Sequence, residues 1–504
     1  MTSKSKKARV LMINPPHIQK KGKFARACFE PVGLAYVAAN LEKEGYEVRI
    51  LDAIAEAFDQ YNHFDEFRET VGLSFPEITD RIKEFAPDFV GIGAPFTVRA
   101  EAIYKTVEVV KEVNPSIITF LGGIHVATYA REVLSKPGVD FIVQGEGEII
   151  CVRLLDGLLG LTNEDIYKMK DLGFKKDGEI VVNPRASGIV DLDALPNPAR
   201  HLLPIHKYFE ASARRRAGRY GKRAISVSTS RGCPFECTFC TTHDMMGKTY
   251  RYRSPENVAR ELKEVKELYG AEVIHFEDDQ LTIRKDRFEE LCDKIIEADL
   301  GLKWDTPNGV LASPIADEKL IEKMAKSGCY YLCVAPESGD QYVVDKIIKK
   351  RQKLVKVDYV IEKAVKYGIT VDAFFVIGNV GETKQQIVNS IEYAKKIRRM
   401  GVRWCHFHVA TPFDSTPLYK LAEGAGFLVE HKRSELEFVG EKRIQTTDFT
   451  VEDVDKLYTE AMSVNPYADW DKVKDVIEMF RQEPKKVVGA FYRHLLGQNA
   501  SLSQ

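Results

Sequence analysis

Twice along the chain, short apolar runs alternate with amphipathic stretches of helical period, and that alternation restricts the fold more than anything else. In the first 160 residues the strand-like runs are 9–14, 47–52, 89–93, 117–121 and 141–143, with helical patterns such as 33–44 and 99–113 between them. Several runs are continuously apolar, as in strands covered by helices on both faces. Five such units predict an α/β fold with an open, doubly wound, Rossmann-like sheet whose ligand site lies beyond the strand C-termini. From residue 224 the alternation restarts, with runs at 225–229, 273–276, 302–305, 331–334, 371–377 and 404–409. Each of the first five precedes a helical pattern, for example 254–269 and 384–399. Ser254-Pro255-Glu256 supplies an N-cap serine and a proline at the first helical position. Six βα units predict a partial (β/α)6 barrel of the TIM type, with chemistry at the C-terminal ends of the strands.

The expected division is therefore a first domain over 1–165, a connector over 166–222, a barrel over 223–430 and a helical C-terminal region over 431–504. The connector carries four prolines and the basic run Arg214-Arg215-Arg216, Arg219, Lys222 and Arg223. Most such runs are solvated loops, and anion binding is the lesser reading. A formal net charge of −1 gives no global pull toward nucleic acid or an anionic membrane. No apolar stretch reaches the roughly 20 residues of a transmembrane helix, and no signal-peptide pattern opens the chain. Nine cysteines, three of them between positions 233 and 240, suit a metal site in a reducing compartment better than a secreted disulfide framework. A cytoplasmic protein is expected.

Unusual residues gather where the first five strands should end: Asn14-Pro15-Pro16, Asp52, Gly93-Ala94-Pro95, Gly122-Gly123-Ile124-His125 and Gly145-Glu146-Gly147-Glu148. Any one of these reads as a tight strand–helix turn. Five on one edge point to a broad ligand, which glycine allows to approach the backbone. The fingerprint G-x-G-x-x-G is absent after the first strand, which argues against a dinucleotide.

The sharpest chemical signal is Ser230-Arg231-Gly232-Cys233-Pro234-Phe235-Glu236-Cys237-Thr238-Phe239-Cys240, directly after the first barrel strand. Thiolates suit an iron–sulfur cluster. C-x3-C-x2-C supplies three ligands where a closed cluster takes four, so one iron is left open. A zinc site completed by His243 and a chance spacing of core cysteines are the competing readings, although zinc ribbons use paired C-x2-C elements and no second pair exists. Cys329, Cys333 and Cys405 read as buried core residues.

This loop resembles that of the radical S-adenosylmethionine (SAM) superfamily. The resemblance implies a [4Fe–4S] cluster on Cys233, Cys237 and Cys240, with SAM on the open iron and Phe239 near its adenine. Phe276-Glu277-Asp278-Asp279 is similar to the family's acidic second-strand ending, which places Asp278 or Asp279 near the SAM amino group. Pro336-Glu337-Ser338-Gly339 resembles the E-S-G ending of the fourth strand, beside ribose and methionine. The segment from Ile377 and Gly378 to Glu382-Thr383 resembles I-G-x-x-G-E-T, beside the adenine. Thr411-Pro412-Phe413 through Thr416-Pro417-Leu418-Tyr419 resembles the sixth-strand ending, with Asp414-Ser415 in place of Pro-Gly.

The N-terminal part, through residues 31–38, Gly122-Gly123-Ile124-His125 and Gly145-Glu146-Gly147-Glu148, resembles the cobalamin-binding domain that precedes many such barrels. No Asp-x-His occurs in the first 160 residues, so cobalt is expected to lack a histidine lower ligand, with His17 and His125 serving backbone or tail contacts. The combination resembles class B radical SAM methyltransferases, and within them the phosphonate C-methyltransferase type. It implies hydrogen abstraction from a substrate carbon followed by methyl transfer from cobalamin. A small substrate, phosphonate or nucleotide-linked, and an electron donor such as flavodoxin or ferredoxin are implied. A cobalamin-dependent oxidative cyclase or ring-rearranging enzyme, and a non-catalytic cobalamin sensor, are the other readings. No catalytic acid or base is singled out.

Overall fold

The structure is a computed structural model that describes residues 7–22, 28–186, 188–214, 223–430 and 442–465. These divide into two compact units, the first reaching Ala224 and the second beginning at Ile225.

Five parallel strands form the centre of the first unit, in the order Glu47–Asp52, Arg9–Asn14, Phe89–Gly93, Ile118–Gly122 and Phe141–Val143. Every residue of Phe89–Gly93 is buried, which is why that run shows no polar alternation. Numbered along the chain the order is 2-1-3-4-5, so the winding reverses between the first and third strands. Such sheets bind ligands in that crevice, outside the strand C-termini. Two antiparallel strands, Leu172–Lys176 and Glu179–Val182, extend the sheet past Phe141–Val143. They lie in the stretch expected as a connector. Their turn, Asp177-Gly178, has φ of 52° and 82°, the pair of positive values that Asp-Gly hairpins supply. A separate small sheet pairs Arg68–Val71 with His17–Lys20 and Tyr61–His63. Strands of three or four mixed residues carry too little pattern to be read beforehand.

In the second unit six strands follow one another in chain order: Ala224–Val227, Val273–Phe276, Lys303–Val310, Cys329–Glu337, Thr370–Ile377 and Trp404–Val409. The pairs from the second strand onward are parallel. Helices Pro255–Tyr269, Lys285–Ala298, Glu318–Lys326, Leu354–Lys366 and Lys384–Arg399 return the chain each time. This is the expected partial (β/α)6 barrel. Ser254 caps Pro255–Tyr269 by accepting from the Asn257 N–H, as its sequence predicts. Thr383 and Gln386 form a reciprocal capping box on Lys384–Arg399.

The third and fourth strands outrun their apolar cores, continuing through Pro307 and Pro336, and register shifts in the ladder absorb both prolines. The sixth strand would leave an open edge. There the Asn465 amide accepts from the Cys405 N–H and donates to the Cys405 carbonyl, both at 2.8 Å. Helix Val451–Met462 also packs on this strand. Edge covering of this kind prevents stray strand pairing. The region beyond 430 is thus not purely helical: Leu428–Glu430 pairs with Lys442–Ile444 as a ribbon, and 466–504 lie outside the described residues. Among the described residues no helix is long and apolar enough to cross a membrane.

Candidate functional site

The cysteine loop leaves the first barrel strand through Gly232, whose φ is +81°; a Cβ there would stand 2.3 Å from the Thr249 carbonyl oxygen, so only glycine fits. Asp278 is fully spent on the start of this loop. It accepts from the Thr229 N–H at 3.1 Å, the Thr229 hydroxyl at 2.8 Å and the Ser230 hydroxyl. Thr238, in the middle of the loop, donates through its N–H to the Ile348 carbonyl at 3.1 Å and accepts from the Leu418 N–H at 2.8 Å. The loop is thereby stitched to a π-helical turn, Val343–Ile348, and to the start of helix Pro417–Gly424.

Cys233, Cys237 and Cys240 are free, half-buried thiols. Burial pushes Cys237 up to about 12 and Cys233 up to about 11, and the charge of Lys350 opposes the rise at both. Each also feels the other two thiols or Cys240, so the three sit within electrostatic reach. Metal binding takes thiols as thiolates, so binding here releases their protons. Three thiolates from one loop suit a cluster, in which each binds a different iron. The ring of His243 is also engaged, its Nε2–H donating to the Cys233 carbonyl at 2.8 Å. The donor set therefore fits a [4Fe–4S] cluster with one open iron.

Around the loop lies a second tier of groups. Asp279 accepts from the Thr242 hydroxyl at 3.2 Å, and burial raises its carboxyl to about 6. Phe239 is half-buried. Glu337 ends the fourth strand at φ +65°, rare for a side chain larger than asparagine. Its carboxylate accepts from Lys350 Nζ at 2.6 Å, and both residues are buried, 7% and 4% exposed. Ser338 is buried too, its hydroxyl 2.9 Å from that of Ser390. Gly378 turns at φ +83°, and Glu382 holds that turn by accepting from the Gly378 and Asn379 N–H groups at 2.9 and 3.0 Å. Burial raises the Glu382 carboxyl to about 7.

Lys350 is the residue the sequence hid. It stands in Lys349-Lys350-Arg351, which reads as an ordinary solvated run, and only the π-helical turn before it carries the side chain inward.

In the first unit the crevice between the first and third strands is polar and internally tied. Asn14 Nδ2–H donates to Asp52 at 2.9 Å, Arg99 donates to Asn14 Oδ1 at 3.1 Å and to the Pro15 carbonyl, and the Tyr208 hydroxyl donates to Asp52 at 2.7 Å. Phe96 and Val98, on the loop after the third strand, are 62% and 50% exposed. Bare apolar side chains at the mouth of such a sheet fit a broad, flat partner of the corrin kind.

The glycine turns divide by cause. Gly123, at φ +127°, would set a Cβ 2.4 Å from the Ala94 carbonyl oxygen, so the fold demands glycine there irrespective of any ligand. Gly122 has room, its nearest neighbour 3.5 Å away. Gly145 turns at φ +73°, and Glu146 accepts from the Ile189 N–H at 2.6 Å. His125 is buried, with Nε2 2.8 Å from the Tyr104 hydroxyl and Nδ1 3.3 Å from the Thr97 hydroxyl. Both ring nitrogens of His125 are thus engaged by neighbouring hydroxyls. His17 lies in the small antiparallel sheet.

Comparison with known proteins agrees with both halves. A B12 binding domain matches residues 25–155, and the radical SAM superfamily matches residues 227–394. A cytidylyl-2-hydroxyethylphosphonate methyltransferase of Streptomyces wedmorensis is 32% identical over 449 residues, 83% of this chain and 82% of that protein. An anaerobic magnesium-protoporphyrin IX monomethyl ester cyclase of Rubrivivax gelatinosus is 28% identical over 419 residues, 82% of this chain and 69% of the cyclase. Among solved structures, the radical SAM methyltransferase TsrM of Kitasatospora setae, with cobalamin and a [4Fe–4S] cluster bound, superposes with a TM-score of 0.71 at 15% identity, covering 92% of each chain. This chain belongs to the family of cobalamin-dependent radical SAM methyltransferases.

Proposed function

We propose that Cys233, Cys237 and Cys240 hold the [4Fe–4S] cluster, that the groups around them bind SAM on its open iron, and that the methyl acceptor is a small phosphonate or nucleotide-linked molecule. The observation that carries this reading is the buried Glu337–Lys350 pair beside three thiols in one stitched loop. When bound, the cluster and SAM supply a hydrogen-abstracting radical and cobalamin carries the methyl group. The residues do the rest. Asp278 fixes the loop origin, and Thr238 fixes its middle against two neighbouring elements. Glu337 and Lys350 present opposite charges to the zwitterionic end of SAM, while Gly378, held by Glu382, offers backbone to the adenine. Phe239 shields that side from water. In the first unit Gly122 and the loop after the third strand cradle the corrin. Gly145 and Glu146 shape the neighbouring turn, where the Glu146 carboxylate accepts from the Ile189 N–H.

The substrate class rests on the relative named for a cytidylyl phosphonate, and reduction of the cluster calls for a flavodoxin or ferredoxin. All nine cysteines are free thiols, which suits a reducing, cytoplasmic setting. The test is anaerobic reconstitution with SAM, cobalamin, reductant and cytidylyl-2-hydroxyethylphosphonate, followed by product mass. A product heavier by one methylene supports methyl transfer. The cyclase relative motivates a second reading, in which the product has lost hydrogen and gained no carbon.

A further inference from the structure

Alternate residues of a barrel strand face the lumen and the outer helices, and contacts separate the two sets here. Phe375 packs edge-on to Tyr393 of helix Lys384–Arg399 and stacks on Phe407, so those residues face outward. Phe374 faces the other way, toward Gly309 and Ala335. In register with it stand His406 and, one step on, His408, ring centroids 5.3 and 6.1 Å from that of Phe374. Both imidazoles therefore face the lumen, with His408 toward the C-terminal end where barrels do chemistry.

The first of them is held from behind. Asp372, fully buried, accepts from His406 Nε2–H at 3.0 Å, from Arg403 at 3.0 and 2.8 Å, and from the Tyr331 hydroxyl at 2.7 Å. These donors keep the Asp372 carboxyl well below the usual carboxylate range despite its burial. Arg403 cancels the charge of Asp372, both carboxylate oxygens are occupied, and the ring of His406 is fixed with Nδ1 turned away. His408 is exposed, yet enclosed enough that burial, helped by the charge of His406, lowers its pKa. Among the described residues the ion pairs here join Asp372, on the adjoining strand, to His406 and to Arg403, on the connection before the histidines' own strand.

We propose that His406 and His408 form an oxyanion subsite in the barrel lumen, which receives the phosphonate or phosphate group of the methyl acceptor. This rests on the anionic acceptor proposed above, and it places that anion on the sixth barrel strand rather than on the basic run at 214–223. A tetrahedral oxyanion offers acceptors to both imidazoles, and its charge favours the protonated form of His408 that burial disfavours.

The experiment is calorimetric titration of the reconstituted full-length protein with methylphosphonate and, separately, with cytidine 5′-monophosphate. It is run at pH 7 in two buffers of different ionisation enthalpy, with dimethyl methylphosphonate as the uncharged control. The expected result is anion binding with uptake of up to one proton, and no binding of the ester. Tighter binding of methylphosphonate assigns the subsite to a carbon–phosphorus headgroup, and tighter binding of the nucleotide to its phosphate. His408→Asn and His408→Gln should each abolish the proton uptake and weaken the anion by about tenfold. Iron and cobalamin content should stay at the level of the unaltered protein. Two results overturn the subsite: no anion binding or proton uptake by the unaltered protein, or binding that survives both His408 variants and is lost in Arg215→Gln/Arg216→Gln. Product mass in the methylation assay reports separately on the proposed reaction, so failure of one is distinguishable from failure of the other.

Discussion

Glu337 and Lys350 offer a quantitative test of how the SAM end of the barrel is built. The carboxylate and ammonium are 2.6 Å apart and almost wholly buried, so each is the other's main compensation for lost hydration. Without a bound metal, burial pushes the Cys237 thiol beside them up to about 12 and the Cys233 thiol up to about 11, which favours their neutral forms. They do not stand in for a lost carboxylate. Glu337→Gln then leaves a buried ammonium and Lys350→Met a buried carboxylate, each costing about 3–5 kcal/mol. For a unit of this size that corresponds to roughly 6–20 °C in midpoint, at about 2–4 °C per kcal/mol. The double variant removes both charges and should lie within about 1–2 kcal/mol of the unaltered protein, because replacing a buried pair as a whole is often close to neutral. The assay is thermal and urea unfolding of the cluster-free protein under reductant, all four forms side by side. Equal midpoints for the unaltered protein and both single variants would refute the reasoning, as would a double variant no better than the worse single one. Either result would mean that the pair is solvated or not formed.

Replacing Cys233, Cys237 and Cys240 together by alanine should remove reconstituted iron and deoxyadenosine formation; iron near four per chain in that variant contradicts the cluster assignment. Glu337→Gln in the loaded enzyme should weaken SAM binding in equilibrium dialysis with an unchanged cluster absorption spectrum, and an unchanged SAM affinity moves the site elsewhere. Gly123→Ala should destabilise the first unit by about 1–3 kcal/mol in urea unfolding even without cobalamin; normal apo stability with lost cobalamin would show that the ligand, not the Ala94 carbonyl, is what the side chain meets. His17→Ala and His125→Ala should each leave the paramagnetic resonance spectrum of the Co(II) state unchanged, and loss of a nitrogen splitting in either variant contradicts the absence of a histidine ligand. Asp372, with a depressed folded-state pKa, contributes stability that is complete above the unfolded value of about 3.9 and is lost as pH falls through the lower folded value. Asp372→Asn should therefore flatten the acid side of the stability profile below about pH 4, and an unaltered acid limb would show the network to be dispensable.

The two α/β units and the cysteine loop were legible because their signals are local. An apolar run marks a buried strand wherever it lands, Ser254 and Thr383 cap helices through neighbours three residues on, and C-x3-C-x2-C places three thiols on one turn by spacing alone. Even the Asp177-Gly178 hairpin, assigned to a connector, carried its turn in two residues.

What the tertiary structure decided concerns groups whose role depends on partners far along the chain. Asp278 and Asp279 are adjacent and chemically identical, yet one is consumed by Thr229 and Ser230 while the other stands toward the thiols. Gly123 looked like a ligand cradle and is required by a carbonyl 29 positions earlier. Nothing in their local sequence marks Lys350 and Arg403, and it is strand order that brings Glu337 and Asp372 to them. Local sequence sets backbone conformation and apolar faces through short-range sterics and hydration. The free energy of a buried charge is set by whichever group lies within a few ångströms, and only the completed fold determines which group that is.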